Sequence, residues 1–138
     1  MSFSESEIAY LAGQRLGRLA TLRPDGTLQN SPVGFRYNAA LGTIDIAGFH
    51  MEQSRKYRNV AVTGEVAFVV DDVPSVRPWR VRCLEIRGTA EAILQPGDSA
   101  YGEPAPIIRV RPRRIISYGI DQHDAEAHDL VPNSRNVA

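Results

Sequence analysis

The segment Ser54-Arg55-Lys56-Tyr57-Arg58 places three cations beside a serine hydroxyl, shortly after a strand-like run that ends at Gly48. If this segment opens a helix, its first N–H groups lack internal partners and carry the positive end of the helix dipole. Such a start suits a phosphate. Ser54 would add a hydroxyl donor, Arg55 a planar fork that grips phosphate bidentately, and Lys56 a compact point charge. Arg58 and His50 flank the cluster on either side. A solvated basic face on a surface helix is the other reading these residues support.

Asn30-Ser31-Pro32-Val33-Gly34-Phe35 is a second candidate. Pro32 cannot donate to a strand ladder and Gly34 presents no side chain, so backbone groups are left free to face the edge of a planar ring. A β-bulge that merely bends the strand uses the same residues. In Arg77-Pro78-Trp79-Arg80 a tryptophan lies between arginines, a pairing that stacks on a flat ligand or anchors a subunit contact. A ring folded back over its own core is the competing use.

Several catalytic patterns are missing. The chain has no G-x-G-x-x-G, no phosphate-loop lysine motif, no G-x-S-x-G and no H-E-x-x-H. His50, His123 and His128 are not at metal-ligand spacing, so no metal is expected. Asp71 and Asp72 are adjacent, which on a strand points them to opposite faces, and a turn role is expected for them. No side-chain nucleophile stands out. An enzyme built from these residues needs an external cofactor, and its catalytic side chains stay unassigned.

The elements that must position these groups are mostly strands. Ser4 and Glu7 have capping-box spacing, and Ile8, Leu11 and Ala12 form a short apolar stripe, so a first helix is expected. Strands are expected over 16–22, 27–37, 43–48, 65–70 and 81–94, with two more in 107–120 separated at Pro112. A second helix is expected over 51–62, and loops over 71–80 and 97–106. Short turns such as Arg23-Pro24-Asp25-Gly26 imply antiparallel meanders, and with six or more strands closure into a barrel removes the exposed edges. The expected fold is a mainly β barrel with a few short helices, one domain over 1–120. The polar tail 121–138 is expected to be mobile or draped on a partner.

Sixteen basic and 16 acidic residues leave no net charge, which argues against nucleic acid or an anionic membrane as partner. Cys83 is the one cysteine, so an intrachain disulfide is excluded. No run of apolar residues is long enough to cross a bilayer and the first residues lack the pattern of a secretory signal. A cytoplasmic location is therefore expected.

Taken together, Gly17-Arg18-Leu19-Ala20-Thr21-Leu22, Asp25-Gly26, Ser31-Pro32-Val33-Gly34-Phe35-Arg36-Tyr37, Leu41-Gly42-Thr43-Ile44-Asp45-Ile46, Arg55-Lys56-Tyr57-Arg58-Asn59 and Pro78-Trp79-Arg80 resemble the pyridoxamine 5′-phosphate oxidase-like split β-barrel family. Ile86-Arg87-Gly88-Thr89-Ala90 and the run from Arg111 to Ser117 fit the same branch, which is the actinobacterial branch that uses the deazaflavin coenzyme F420. The likeness runs from about Phe3 to Gly119. It implies a homodimer with cofactor sites at the subunit interface. It also implies that Ser54, Arg55, Lys56 and Arg58 hold the cofactor phosphate, Lys56 foremost. Ser31, Pro32, Val33 and Gly34 would lie along the ring, and Ala47, Gly48 and His50 would line the pocket. Trp79 and Arg80 would reach over from the other subunit. The implied reaction is hydride transfer from reduced deazaflavin to a small unsaturated or pigment-like acceptor. FMN in place of F420, or a non-catalytic protein that binds F420, flavin or haem, are the alternatives.

Overall fold

A computed structural model describes residues 2–96 and 104–137. Helix α1 (Glu5–Ala12) starts as its capping box dictates: Ser4 Oγ accepts from Glu7 N, and Glu7 Oε1 accepts from Ser4 N at 2.9 Å. Strands β1 (Leu16–Leu22) and β2 (Leu28–Gly34) follow, joined by a tight turn in which Gly26 takes φ +86°. The strand expected over 27–37 is broken at Phe35, and its remainder is β3 (Arg36–Asn38). After β4 (Thr43–Ile46) come a 3-10 turn (Met51–Gln53) and helix α2 (Arg55–Val62). The long strands β5 (Glu65–Ser75), β6 (Arg80–Gln95) and β7 (Ala105–Tyr118) complete the barrel wall, and β8 (Asn133–Asn136) ends the chain.

The eight strands form one antiparallel sheet in the order β2-β1-β5-β6-β7-β4-β3, with β8 also paired to β7. The two ends of that order, β2 and β3, are consecutive in the chain and separated by Phe35 alone. The sheet must therefore curl until its ends nearly meet, which gives a split β-barrel. Its interior is packed by Leu19, Ile44, Ile46, Phe68, Val70, Leu84, Ile86, Ile108, Val110 and Ile115, none of which is exposed. These residues alternate along their strands with outward-facing ones, as a barrel wall requires.

Three local expectations are corrected. Residues 71–75 are not loop: β5 continues through Asp71 and Asp72, which pair with Cys83 and Arg82 of β6, and only 76–79 turn. The separation expected at Pro112 is a bulge inside one strand. Register shifts between Arg87 and Gly88, and the backbones close up so far that a Cβ on Gly88 would stand 2.0 Å from Arg111 O. Pro112 lies between the stretches of β7 that pair with β4 and with β8, so its missing N–H costs no bond on that edge. The tail, finally, folds back on its own chain. Arg135 of β8 donates to both carboxylate oxygens of Glu7, whose side chain is buried under it. The loop expected over 97–106 lies mostly outside the described residues, and β7 begins at Ala105.

Candidate functional site

Helix α2 lies across one end of the barrel, and five hydrogen bonds from it and the two residues after it fix its direction. Thr63 Oγ1 donates to Leu22 O at 2.7 Å, and Asn59 Nδ2 donates to Thr21 Oγ1 and Gln29 Oε1 at 3.1 and 3.2 Å. Gly64 O accepts from Ala90 N, while Tyr57 Oη donates to Ile93 O at 3.4 Å. Moving toward its N-terminus, the helix therefore advances along β2 from Gln29 toward Ser31 and along β6 from Ala90 toward Gln95.

At that same end a cleft of about 440 Å³ opens between the β2–β3 junction, the end of β4, the end of β6 and the start of β7. Gly34, Phe35, Arg36, Asp45, Ala47, Gln95, Ala105 and Ile107 line it. The lining is mostly apolar. Its buried carboxylate, Asp45, is neutralised: Arg109 Nε and Nη2 donate to its two oxygens at 3.0 Å each, and Thr43 Oγ1 and Asn38 Nδ2 donate at 2.9 Å. Burial opposes the charge on Asp45, but these four hydrogen bonds and the guanidinium outweigh it and hold the carboxyl below its ordinary value. Arg36 has no carboxylate partner among the described residues, so it carries the cleft's net positive charge.

The expected site residues fall into three groups. The first surrounds the start of α2. That start is Arg55 and not Met51, because Ser54 caps it: Ser54 Oγ accepts from Tyr57 N at 3.3 Å and donates to Met51 O at 2.7 Å. Its proton is already used, so Ser54 shapes the site without being the free donor expected. The N–H groups of Arg55 and Lys56 have no partner among the described residues, Arg55 is exposed and Lys56 half-buried. Arg58 turns back to donate to Gln53 O at 2.8 Å.

The second group is β2 and the loop after β4. Strand alternation sends Pro32 and Gly34 outward and Val33 into the core, where it is 6% exposed. Ser31 faces inward, and its hydroxyl oxygen is buried with no partner among the described residues. A buried hydroxyl without a partner carries a desolvation cost of roughly 1–3 kcal/mol, which a ligand oxygen would remove. Ala47 lines the cleft, and Gly48 and His50 continue from it as an exposed loop.

Trp79 and Arg80 form the third group, and within one chain they stand apart from the cleft. They sit at the tip of the β5–β6 hairpin, beyond the last β1 partner Val69 and the last β7 partner Cys83. Arg80 instead lines a smaller cleft with Arg82 and His123. Arg36, Asp45, Gln95 and Ile107 escaped sequence reasoning. The alternation Ile44-Asp45-Ile46 was a usable signal for Asp45, since a carboxylate there must find a cation. Nothing local pointed to Arg109, which is 64 residues away.

Residues 5–118 match the model of the pyridoxamine 5′-phosphate oxidase family. The chain belongs to this family. A curated relative from Streptomyces rimosus, a 5a,11a-dehydrotetracycline/5a,11a-dehydrooxytetracycline reductase, is 47% identical over 122 residues, covering 88% of this chain and 86% of the relative. A solved F420 reductase superposes with a TM-score of 0.61 at 29% identity, covering 80% of this chain and 95% of that one. The FAD-binding protein of Mycobacterium smegmatis superposes with a TM-score of 0.62 at 21% identity, covering 83% and 93%, and shares the fold. The reductase relative and the family together support an oxidoreductase of this fold with a flavin-type cofactor. No helix among the described residues is long and apolar enough to cross a membrane.

Proposed function

We propose that this protein is an F420-dependent reductase that delivers a hydride to an electron-poor carbon–carbon double bond of a planar, unsaturated polycyclic ketone. The observation that carries this reading is that α2, followed toward its uncapped N–H groups, runs along β6 from Ala90 to Ile93, toward Gln95 at the edge of the apolar cleft. Free N–H groups of Arg55 and Lys56 and their two cations fit a phosphate, while Gly34, Phe35, Ala47 and Ile107 offer a flat apolar wall for a ring. The names of the two relatives, a dehydrotetracycline reductase and an F420 reductase, support the substrate class and the cofactor proposed here.

When bound, reduced deazaflavin supplies the hydride. The chain's own residues do the rest. Lys56, Arg55 and the start of α2 hold the phosphate, the apolar wall excludes water, and Arg36 holds the negative charge that hydride addition leaves on the acceptor's carbonyl oxygen. The resulting enolate takes its proton from bulk solvent on leaving the cleft. We further propose a homodimer, in which the β5–β6 arm with exposed Trp79, Val76 and Val73 reaches the partner's cofactor site.

Absorbance titration of the purified protein with F420 and with FMN tests the reading. F420 should bind, and Lys56→Ala should weaken it by about 10- to 100-fold, the loss of one charge-assisted hydrogen bond. Preferential binding of FMN would move the assignment to a flavin enzyme of the same fold. Unchanged affinity in Lys56→Ala would remove the phosphate from this helix.

A further inference from the structure

Between β4 and the 3-10 turn, the loop carries two features that give no return among the described residues. Phe49 is 98% exposed, the most exposed of the large apolar side chains among the described residues. The residue after it, His50, adopts φ 51° and ψ 39°, the one left-handed non-glycine backbone among the described residues. Both cost free energy: the ring leaves its apolar surface in water, and a side chain at positive φ crowds its own carbonyl.

The geometry shows what the left-handed turn does. It drops Met51, 2% exposed, into the core while Phe49, two residues earlier, stays outside. Among the described residues the ring's one aromatic neighbour is His50 itself, at 6.1 Å between centroids. The loop leaves directly from Ala47, which lines the apolar cleft. An aromatic held out by a strained backbone, two residues along the chain from a cleft-lining alanine, is a stacking surface in want of a flat partner.

We propose that Phe49 is the specificity-determining residue for a polycyclic acceptor, stacking on rings that extend beyond the cleft mouth. The proposal rests on the reductase reading above. It adds that ring number, and not the reducible double bond alone, is selected. A one-ring enone would fit the cleft without reaching Phe49, whereas a fused four-ring system would reach it.

The test is a fluorescence titration of the full-length protein with tetracycline as probe, comparing wild type, Phe49→Ala and Phe49→Tyr. Removing one stacked ring should weaken tetracycline about tenfold, and tyrosine should restore it to within about twofold. F420 affinity, measured separately, should change by less than about twofold in both variants. Equal tetracycline binding by wild type and Phe49→Ala, or none by wild type, overturns the proposal. So does a Phe49→Ala protein that sediments as monomer where wild type is a dimer, since the ring would then be a subunit contact. Failure of wild type to bind either cofactor overturns the reductase reading instead, and the cofactor titration reads that independently.

Discussion

Gly17 on β1 faces the ring of Phe68 on β5 so closely that a Cβ at position 17 would stand 2.3 Å from Phe68 Cζ. Phe68 in turn meets Phe35 edge to face, at 5.3 Å between centroids, and Phe35 walls the cleft. The absent side chain at 17 therefore sets where the cleft wall stands. Gly17→Ala should destabilise the fold by about 1–3 kcal/mol through overpacking, read as a lowered denaturation midpoint. Adding Phe68→Leu should recover part of that loss, because the smaller side chain vacates the space. Strictly additive losses in the double variant would mean that the two positions do not share this space.

Glu7 and Arg135 should govern acid stability. Burial opposes the Glu7 charge, but hydrogen bonds from Arg135, Ser117 and the Ser4 N–H outweigh it and lower its pKa from the ordinary 4.5. A carboxyl depressed on folding contributes stability that is present above the unfolded value and is lost as pH falls through the folded one. Arg135→Ala strands a buried carboxylate and should cost roughly 3 kcal/mol at pH 7. Urea titrations at pH 7 and pH 4 should show the gap to wild type narrowing in acid, as protonation relieves the stranded charge. A gap that widens in acid would contradict this.

The Asp45–Arg109 pair makes a parallel case at the cleft. With side chains 4% and 13% exposed, it joins β4 to β7 beneath the ligand wall. Arg109→Leu should cost about 3 kcal/mol by leaving Asp45 unpaired, while Asp45→Asn with Arg109→Leu should cost less than the sum. Thermal denaturation of the two singles and the double decides it.

What the sequence disclosed was local or periodic. The Ser4–Glu7 capping box is a three-residue spacing, and β1 could be bounded at Leu16 and Leu22 because alternation stops at a turn-forming Pro24-Asp25-Gly26. What it hid depends on distant partners. Asp71 and Asp72 look like turn residues until Arg82 and Tyr10 supply the bonds that keep Asp72 on a strand. Pro112 looks like a break until Gly88 is found opposite it. The polar tail lacks an apolar period because Arg135 is held by an ion pair with Glu7 and not by apolar burial. At the candidate site the cation cluster from Ser54 to Arg58 was legible from its composition. Arg36 was not, since an arginine on a short edge strand gives no sign of which cleft it will border.

Ser31 offers a separation of folding from binding. Its buried hydroxyl has no partner among the described residues, so Ser31→Ala removes an unsatisfied polar group and forfeits no hydrogen bond seen there. The variant should match or exceed wild-type stability by up to about 1 kcal/mol. If the hydroxyl faces the cofactor phosphate, the same change should weaken F420 by roughly 10- to 100-fold, the value of one hydrogen bond to a charged group. Stability by urea denaturation and affinity by absorbance titration should thus move in opposite directions. A variant that loses stability would mean that the hydroxyl has an internal partner after all, and one that binds F420 as wild type does would place the ligand elsewhere along β2.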